Sequence, residues 1–389
     1  MPHDAAKEME IEEASPCAML RSIRLAGFRC FEFLDYEPGP HLSFITGPNA
    51  RGKTTLLEAA CVLLRLRSPR TSNNSEMIRF GGSAFALEGL VQGVLGETRL
   101  SLTSTPPARA LKLDGVPQTT TSDYLAQGRI VWFGSDDLML VNGPAERRRK
   151  LLDSVGLQTS GSYRSYGRDL RDYDRALRSR NLLLREGRSR REIEAYDHPL
   201  AETGDRILGV RRDLVASLVP LAADSCRRIS GEILEIRYEP GSAVPMMEAL
   251  LSSRDEELRL RQTRVGPQRD DLMILLNKIP AGSYASEGQR RTIALALKLA
   301  VAALLNRENG RPPLLLLDDI FGELDPSRRD ALLAGMPPGA QALLSTAELT
   351  GIAIPEGSRI HRFTDKGTLE MVVSGDADPG LIRNPSSES

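Results

Sequence analysis

The stretch GPNARGKTTLLEA, Gly47 to Ala59, constrains this chain more than any other. The spacing Gly47-x4-Gly52-Lys53-Thr54 is that of a phosphate-binding loop, which requires a strand in front and a helix behind. Both are legible. HLSFIT (41–46) is a short apolar run that feeds the loop, and TLLEAACVLLRLR (55–67) reads as a helix with an apolar face. The glycines let the backbone turn so that successive N–H groups aim at phosphate oxygens, and the helix N-terminus adds its positive end. The candidate nucleotide contacts are therefore Gly47, Pro48, Asn49, Ala50, Arg51, Gly52, Lys53, Thr54 and Thr55. Lys53 is placed to reach the β- and γ-phosphates of ATP, and the Thr54 hydroxyl to ligate Mg2+. A glycine-rich turn with a chance Lys-Thr is the plainer alternative, and the flanking strand and helix speak against it.

A second string, LLLLDDIFGELD (314–325), sets two acids at the end of a run that is apolar at every position. Such a run belongs to a central strand covered on both faces. Ligands of doubly wound folds sit at the carboxyl ends of parallel strands, so Asp318 and Asp319 are expected to face the phosphates. Asp318 is the candidate Mg2+ holder, and Asp319 the candidate to orient the attacking water. An acid pair that only caps the next helix is the alternative. Two adjacent carboxylates repel unless a cation lies near, which favours the metal.

YASEGQRRTIALALKLA (284–300) discriminates among phosphate-loop machines. Ser286 and Gln289, three apart before an apolar helix, have the form of a capping box. The string lies 32 residues before Asp318, where it resembles the signature motif of ABC-type ATPases. In that arrangement Ser286, Gly288 and Gln289 meet the γ-phosphate of ATP bound to a second subunit. Each nucleotide is then shared between one copy's Lys53 loop and its partner's Ser286 helix, so ATP controls dimerisation. GELDPSRR (322–329) fits a companion loop across the same interface.

Composition adds limits. With 41% apolar and 26% charged residues the chain is of a globular kind. A net charge of -1 leaves any nucleic-acid surface to local segregation of charge. The cysteines lack metal spacing and read as reduced thiols, and no apolar run is long enough to span a membrane, so a cytoplasmic protein is expected. Residues 1–18 read as an acidic disordered extension and 376–389 as a flexible tail. Residues 19–144 and 263–375 read as two parts of one ATPase head, and 145–262 as an inserted helical arm.

Several strings occur together in an order that resembles the RecF family: NARGKTTLLEA, LRSPRT (66–71), DDLMLVNGPAERRRKLLD (136–153), RNLLLR (180–185), GPQRDDL (266–272), SEGQRRTIALALKLA and LLLLDDIFGELD. The resemblance runs over roughly residues 19–375. It implies an α/β fold: an ABC/SMC-type P-loop ATPase head with an inserted helical arm, ATP-dependent homodimerisation and slow hydrolysis. It further implies binding to duplex DNA or single/double-strand junctions, and work with RecO- and RecR-type mediators to load recombinase at gaps. Ala50 departs from the family's usual glycine, Gln268 from its histidine, and Glu287 from its common glutamine.

Between Arg147 and Arg191 there are fourteen Arg or Lys against five Asp or Glu. Arg164, Arg168, Arg171, Arg175 and Arg178 recur at steps of 4, 3, 4 and 3, which places them on one helical face. On the residues alone a solvated charge stripe and a phosphate-binding face both remain open; the resemblance favours DNA. Rival readings are a diverged SMC-like ATPase of the phage-defence type, a nuclease-fused head, and a transporter ATPase subunit. The 233 residues from Lys53 to Ser286, and the lack of a histidine in QALLSTAE (341–348), count against the transporter.

Overall fold

The computed structural model describes residues 19–372, apart from 94–95, 160–162, 351, 353 and 365–366, and leaves out the side chains of 163 and 164. The proposed extension 1–18 and tail 376–389 lie outside the described residues.

The chain opens with β1 (Leu20–Phe28), β2 (Phe31–Tyr36) and β3 (Leu42–Thr46), and β3 runs through the phosphate loop into α1 (Lys53–Arg65). Next come β4 (Phe85–Gly93), β5 (Gly96–Thr105), β6 (Ala108–Leu113), β7 (Val116–Pro117), a short α2 (Ser122–Leu125) and β8 (Ile130–Phe133). Helices then dominate: α3 (Met139–Asn142), α4 (Ala145–Gly156), α5 (Tyr163–Glu186), α6 (Arg190–Glu194) and α7 (Asp197–Ser230). The remainder is β9 (Leu234–Glu239), α8 (Met246–Leu260), β10 (Asp271–Leu276), β11 (Ile279–Pro280), α9 (Ala281–Tyr284) and α10 (Glu287–Asn309), followed by β12 (Leu314–Asp318), α11 (Pro326–Gly335), β13 (Ala342–Ser345), β14 (Arg359–Phe363) and β15 (Leu369–Val372).

Among the described residues these strands form three sheets. The central one has the order β15-β14-β3-β13-β12-β8 and is parallel except for β15. Strands β3, β13, β12 and β8 are mostly apolar because both of their faces are covered, and the pleat divides their residues between two cores. Ile45, Leu314, Leu316 and Leu343 face α1 and the antiparallel sheet β2-β1-β4-β5-β6-β7. Phe44, Leu315, Leu317 and Leu344 face α7 and α10. A fully buried leucine of this kind contributes about 1.5–3 kcal/mol relative to exposure. Gln341 stitches the layers together: its side chain accepts from the Leu20 N–H and donates to the Leu20 and Gly39 carbonyls.

The segment read as a helical arm also holds a strand. LEIRYE alternates apolar and polar residues, and β9 pairs antiparallel with β10 along its whole length. Its period-2 pattern is only six residues long between strong helices, so helical periodicity masks it. A separate small core around Tyr166, Tyr173, Leu200, Ile207, Met246 and Leu250 joins α5, α7 and α8. The 34-residue α7 serves both cores: Leu200 to Leu208 enter the small one, and Leu214 to Ile229 pack on α10 and the central sheet.

Candidate functional site

The site is assembled by register. Ile45 of β3 lies opposite Ser345 of β13, which lies opposite Asp318 of β12. One row across three parallel strands therefore brings the phosphate loop and the acid pair to the same sheet edge. Thr54 Oγ1 donates to Asp318 Oδ1 at 2.7 Å, and Ser345 Oγ donates to the same oxygen at 2.8 Å. Ser345 also holds the next residue, because the Asp319 N–H donates to its hydroxyl (3.0 Å) and to its carbonyl (3.2 Å). Asp319 has φ +54, a left-handed backbone, and is exposed into the cavity above the loop. It does not cap a helix; Asp325 does that for α11, accepting from the Arg328 N–H. Ser345 went unnoticed in the sequence, where it is one hydroxyl in QALLSTAE.

The loop has positive φ at Gly47 (+128), Ala50 (+63) and Gly52 (+100). A Cβ on Gly52 would stand 2.3 Å from the Phe31 ring, and one on Gly47 would stand 2.6 Å from the Phe363 carbonyl, so neither tolerates a side chain. Lys53 Nζ is buried and donates to the loop's own carbonyls, to Gly47 at 2.6 Å and Pro48 at 3.0 Å. Burial lowers the Lys53 pKa, against the pull of Asp319 and Asp318. Burial likewise raises the Asp318 carboxyl, opposed by its bonds from Thr54 and Ser345 and reinforced by the Asp319 charge. A half-buried carboxylate raised by its surroundings, next to a threonine hydroxyl, suits a divalent cation. Thr54 and Asp318 are thus the protein residues that would hold Mg2+.

A cavity of about 900 Å3 opens over this edge. Asn49, Ala50, Gly52, Lys53, Thr54, Thr55 and Asp319 line it; Gly47 and Pro48 reach it through Lys53, and Asp318 through Thr54. Arg51 is exposed and does not line it. Other lining residues were not foreseen, among them Arg29, Arg70, Ser75, Glu76 and the segment Ile78–Gly82. Arg29 and Arg70 converge on Glu58 of α1, which is completely buried. Arg29 Nη2 donates to it at 2.7 Å, Arg70 Nη1 at 3.3 Å and Ser68 Oγ at 2.6 Å. LRSPRT is thereby tied to the helix of the phosphate loop, a link that only the packing of α1 reveals.

Ser286, Gly288 and Gln289 do not line this cavity. They form the N-terminus of α10, with Ser286 exposed and Gly288 and Gln289 half-buried. Ser286 Oγ accepts from the Gln289 N–H at 3.2 Å, and Gln289 Oε1 accepts from the Ser286 N–H at 2.9 Å. Gln289 Nε2 donates to Glu232, 57 residues away in the chain. Gly288 lies against Arg328, which is paired with Asp325 and donates to Thr292. On α5, Arg168, Arg171, Arg175 and Arg178 are exposed on one face, while Tyr173, Ala176 and Arg180 point inward. Arg164 falls on the same helix, with its side chain outside the described residues.

GPQRDDL forms a junction. Asp270 is completely buried, accepting from Arg211 Nη1 and Tyr238 OH (2.6 Å each) and from the Gly241 N–H (2.7 Å). Asp271 accepts both arms of Arg148, at 2.5 and 2.9 Å. Gln268 accepts from Tyr173 OH and donates to the Val265 carbonyl. Five segments distant in sequence meet here: α4, α5, α7, β9 and β10.

A phosphate loop, an acid-ended central strand and a capped, exposed helix N-terminus on one mixed sheet define an ABC/SMC-type ATPase head. Comparison with known proteins agrees. A sequence profile described as an AAA domain matches residues 22–105. The head of an SMC protein, solved with the winged-helix domain of ScpA, shares the fold: TM-score 0.53 at 14% identity, over 91% of this chain and 97% of that one. The DNA replication and repair protein RecF of Lactococcus lactis subsp. cremoris (strain MG1363) is 33% identical over 90% of this chain and 98% of its own. RecF of Anaeromyxobacter sp. (strain Fw109-5) is 37% identical over 85% and 92%. A solved structure of the recombination mediator protein RecF with ATP has a TM-score of 0.84 at 30% identity, covering 93% of this chain and all of that one. The chain belongs to the RecF family of DNA replication and repair proteins.

Proposed function

We propose that this protein is an ATP-gated DNA-binding protein of recombinational repair and replication restart. ATP joins two copies, the pair holds duplex or junction DNA, and slow, DNA-stimulated hydrolysis separates them. One observation carries the reading: within a single chain the Ser286 cap is exposed and stands apart from the cavity that contains Lys53. A hydroxyl and helix N-terminus in that position have a γ-phosphate to meet only on a second copy.

The loop N–H groups of Gly47 and of Asn49 to Thr55 bind the triphosphate, and Lys53 exchanges its bonds to Gly47 and Pro48 for phosphate oxygens. Thr54 and Asp318 would hold Mg2+, which would supply positive charge against that of the triphosphate. Asp319 orients the attacking water; its left-handed backbone, fixed by Ser345, turns the carboxylate into the cavity. The Ser286, Gly288 and Gln289 end of the partner's α10 completes the site. Release of the γ-phosphate removes that contact, so hydrolysis acts as a timer. Residues 145–262 serve as the arm, with the arginine face of α5, Arg164 to Arg178, against DNA phosphates. The solved RecF relatives are mediators of a RecFOR pathway, and RecO- and RecR-type mediators in the cytoplasm are the partners we assign.

Light scattering with ATP, ADP or no nucleotide, run beside ATPase assays with and without gapped duplex DNA, tests this. ATP-specific dimers and faster turnover with DNA are expected. A chain that stays monomeric with ATP and hydrolyses it at a rate indifferent to DNA overturns the reading.

A further inference from the structure

We propose that Phe80 is the platform on which the base of the bound nucleotide stacks. This rests on the reading that ATP occupies the cavity over the phosphate loop, and it concerns the part of that cavity the loop does not explain.

Phe80 is 100% exposed, the extreme among the large apolar side chains described; the next, Tyr284, is 74% exposed. It is also the aromatic ring among the residues that line the cavity. The exposure does not come from loose backbone. The Arg29 N–H donates to the Met77 carbonyl and the Arg79 N–H to the Gly27 carbonyl, both at 2.8 Å, and Ile78 bridges Phe28. Met77, three residues before the ring, is 2% exposed and anchored in the core under α1. The Gly82 N–H donates back to the Arg79 carbonyl at 2.8 Å, and Gly81 between them has φ +82. That is a tight turn with glycine at its third position, as a type II turn requires, and Phe80 stands at the second. Arg79 is tied to Glu32 at 3.2 Å. A fixed turn therefore presents an unpartnered ring toward the nucleotide cavity.

The phosphate loop recognises only the triphosphate, so the base must lie on the remaining wall, formed mainly by Arg29, Cys30, Arg70, Ser75, Glu76 and Ile78 to Gly82. Of these, Phe80 supplies the flat, polarisable surface that a purine prefers. Stacking on an aromatic ring is tolerant of base identity and strong enough to register in affinity.

Calorimetric titration of the whole chain with ATP and with inorganic tripolyphosphate tests this, with light scattering on the same samples. Phe80→Ala is expected to weaken ATP about tenfold or more while tripolyphosphate stays within about twofold, and Phe80→Trp to restore ATP binding. Equal weakening of both ligands overturns the proposal. So does unchanged ATP affinity, and if dimers are lost in that case Phe80 belongs to the contact between copies. Failure of the underlying reading shows differently: Lys53→Ala would then leave wild-type ATP affinity intact, placing the nucleotide elsewhere.

Discussion

Ala50 occupies a position where the family resemblance leads one to expect glycine, and its φ of +63 is a backbone that glycine adopts freely. An L-residue in the left-handed region costs about 1–2 kcal/mol, against about 0.5–1 kcal/mol of chain entropy that glycine would lose on folding. The loop already holds this conformation in the free chain, so the cost falls on folding and not on nucleotide binding. Ala50→Gly is expected to raise the unfolding free energy by roughly 0.5–1 kcal/mol and to change ATP affinity by less than about twofold, as read by urea titration and calorimetry. Asp318 presents the opposite case. Burial raises its carboxyl pKa, and its ionised form therefore costs stability above that pKa, a cost relieved as pH falls through it. Asp318→Asn removes the charge and should raise the melting temperature of the nucleotide-free chain while abolishing Mg2+-dependent ATP turnover. A lower melting temperature would mean that the bonds from Thr54 and Ser345 need the carboxylate more than burial penalises it.

At the scale of elements, α5 illustrates both what periodicity conveys and where it stops. The 4, 3, 4, 3 spacing of its arginines predicts one face, and the described members are exposed together. Spacing does not show their partners: Arg175 stands 3.6 Å from Asp172 and Arg178 2.9 Å from Asp174, all four side chains open to water. Exposed pairs of this kind are worth about 0–1 kcal/mol, so a DNA phosphate can replace each aspartate at little cost. Changing Arg171, Arg175 and Arg178 to Glu should abolish duplex binding in fluorescence anisotropy and leave ATP binding intact. If some DNA binding survives, its salt slope should fall by about three. Unaltered affinity and slope would exclude this face. For α10, the Ser286–Gln289 capping box was legible as a local pattern, whereas the bond from Gln289 to Glu232 joins the helix start to the region after α7 and has no local signal.

At the scale of the molecule, α7 is the member shared between the small arm core and the central sheet. The buried Asp270 junction ties it to β9 and β10, and β10 leads through β11 and α9 to Ser286. The α5 face proposed for DNA and the α10 cap proposed for ATP are thus linked through one packed body. A charge placed at the cap tests the shared site without touching a chain's own phosphate loop. Ser286→Arg is expected to eliminate ATP-induced dimers in light scattering while the monomer binds ATP within about twofold of wild type. Dimers that persist with this variant would detach the signature helix from the interface.

Local strings sufficed for the phosphate loop, the acid-ended strand and the capped helix, because each depends on backbone turns and periodicities a few residues long. They also conveyed, through the family resemblance, that these strings belong to one machine. Folding alone decided that Thr54, Ser345 and Asp318 share one oxygen, since only the register of β3, β13 and β12 brings together residues up to 291 positions apart. It also decided that Glu58 gathers Arg29 and Arg70, that a strand lies hidden in the helical segment, and that Phe80 stands bare over the cavity. Contacts of this range depend on which surfaces are buried together, and that is a property of packing that no window of sequence contains.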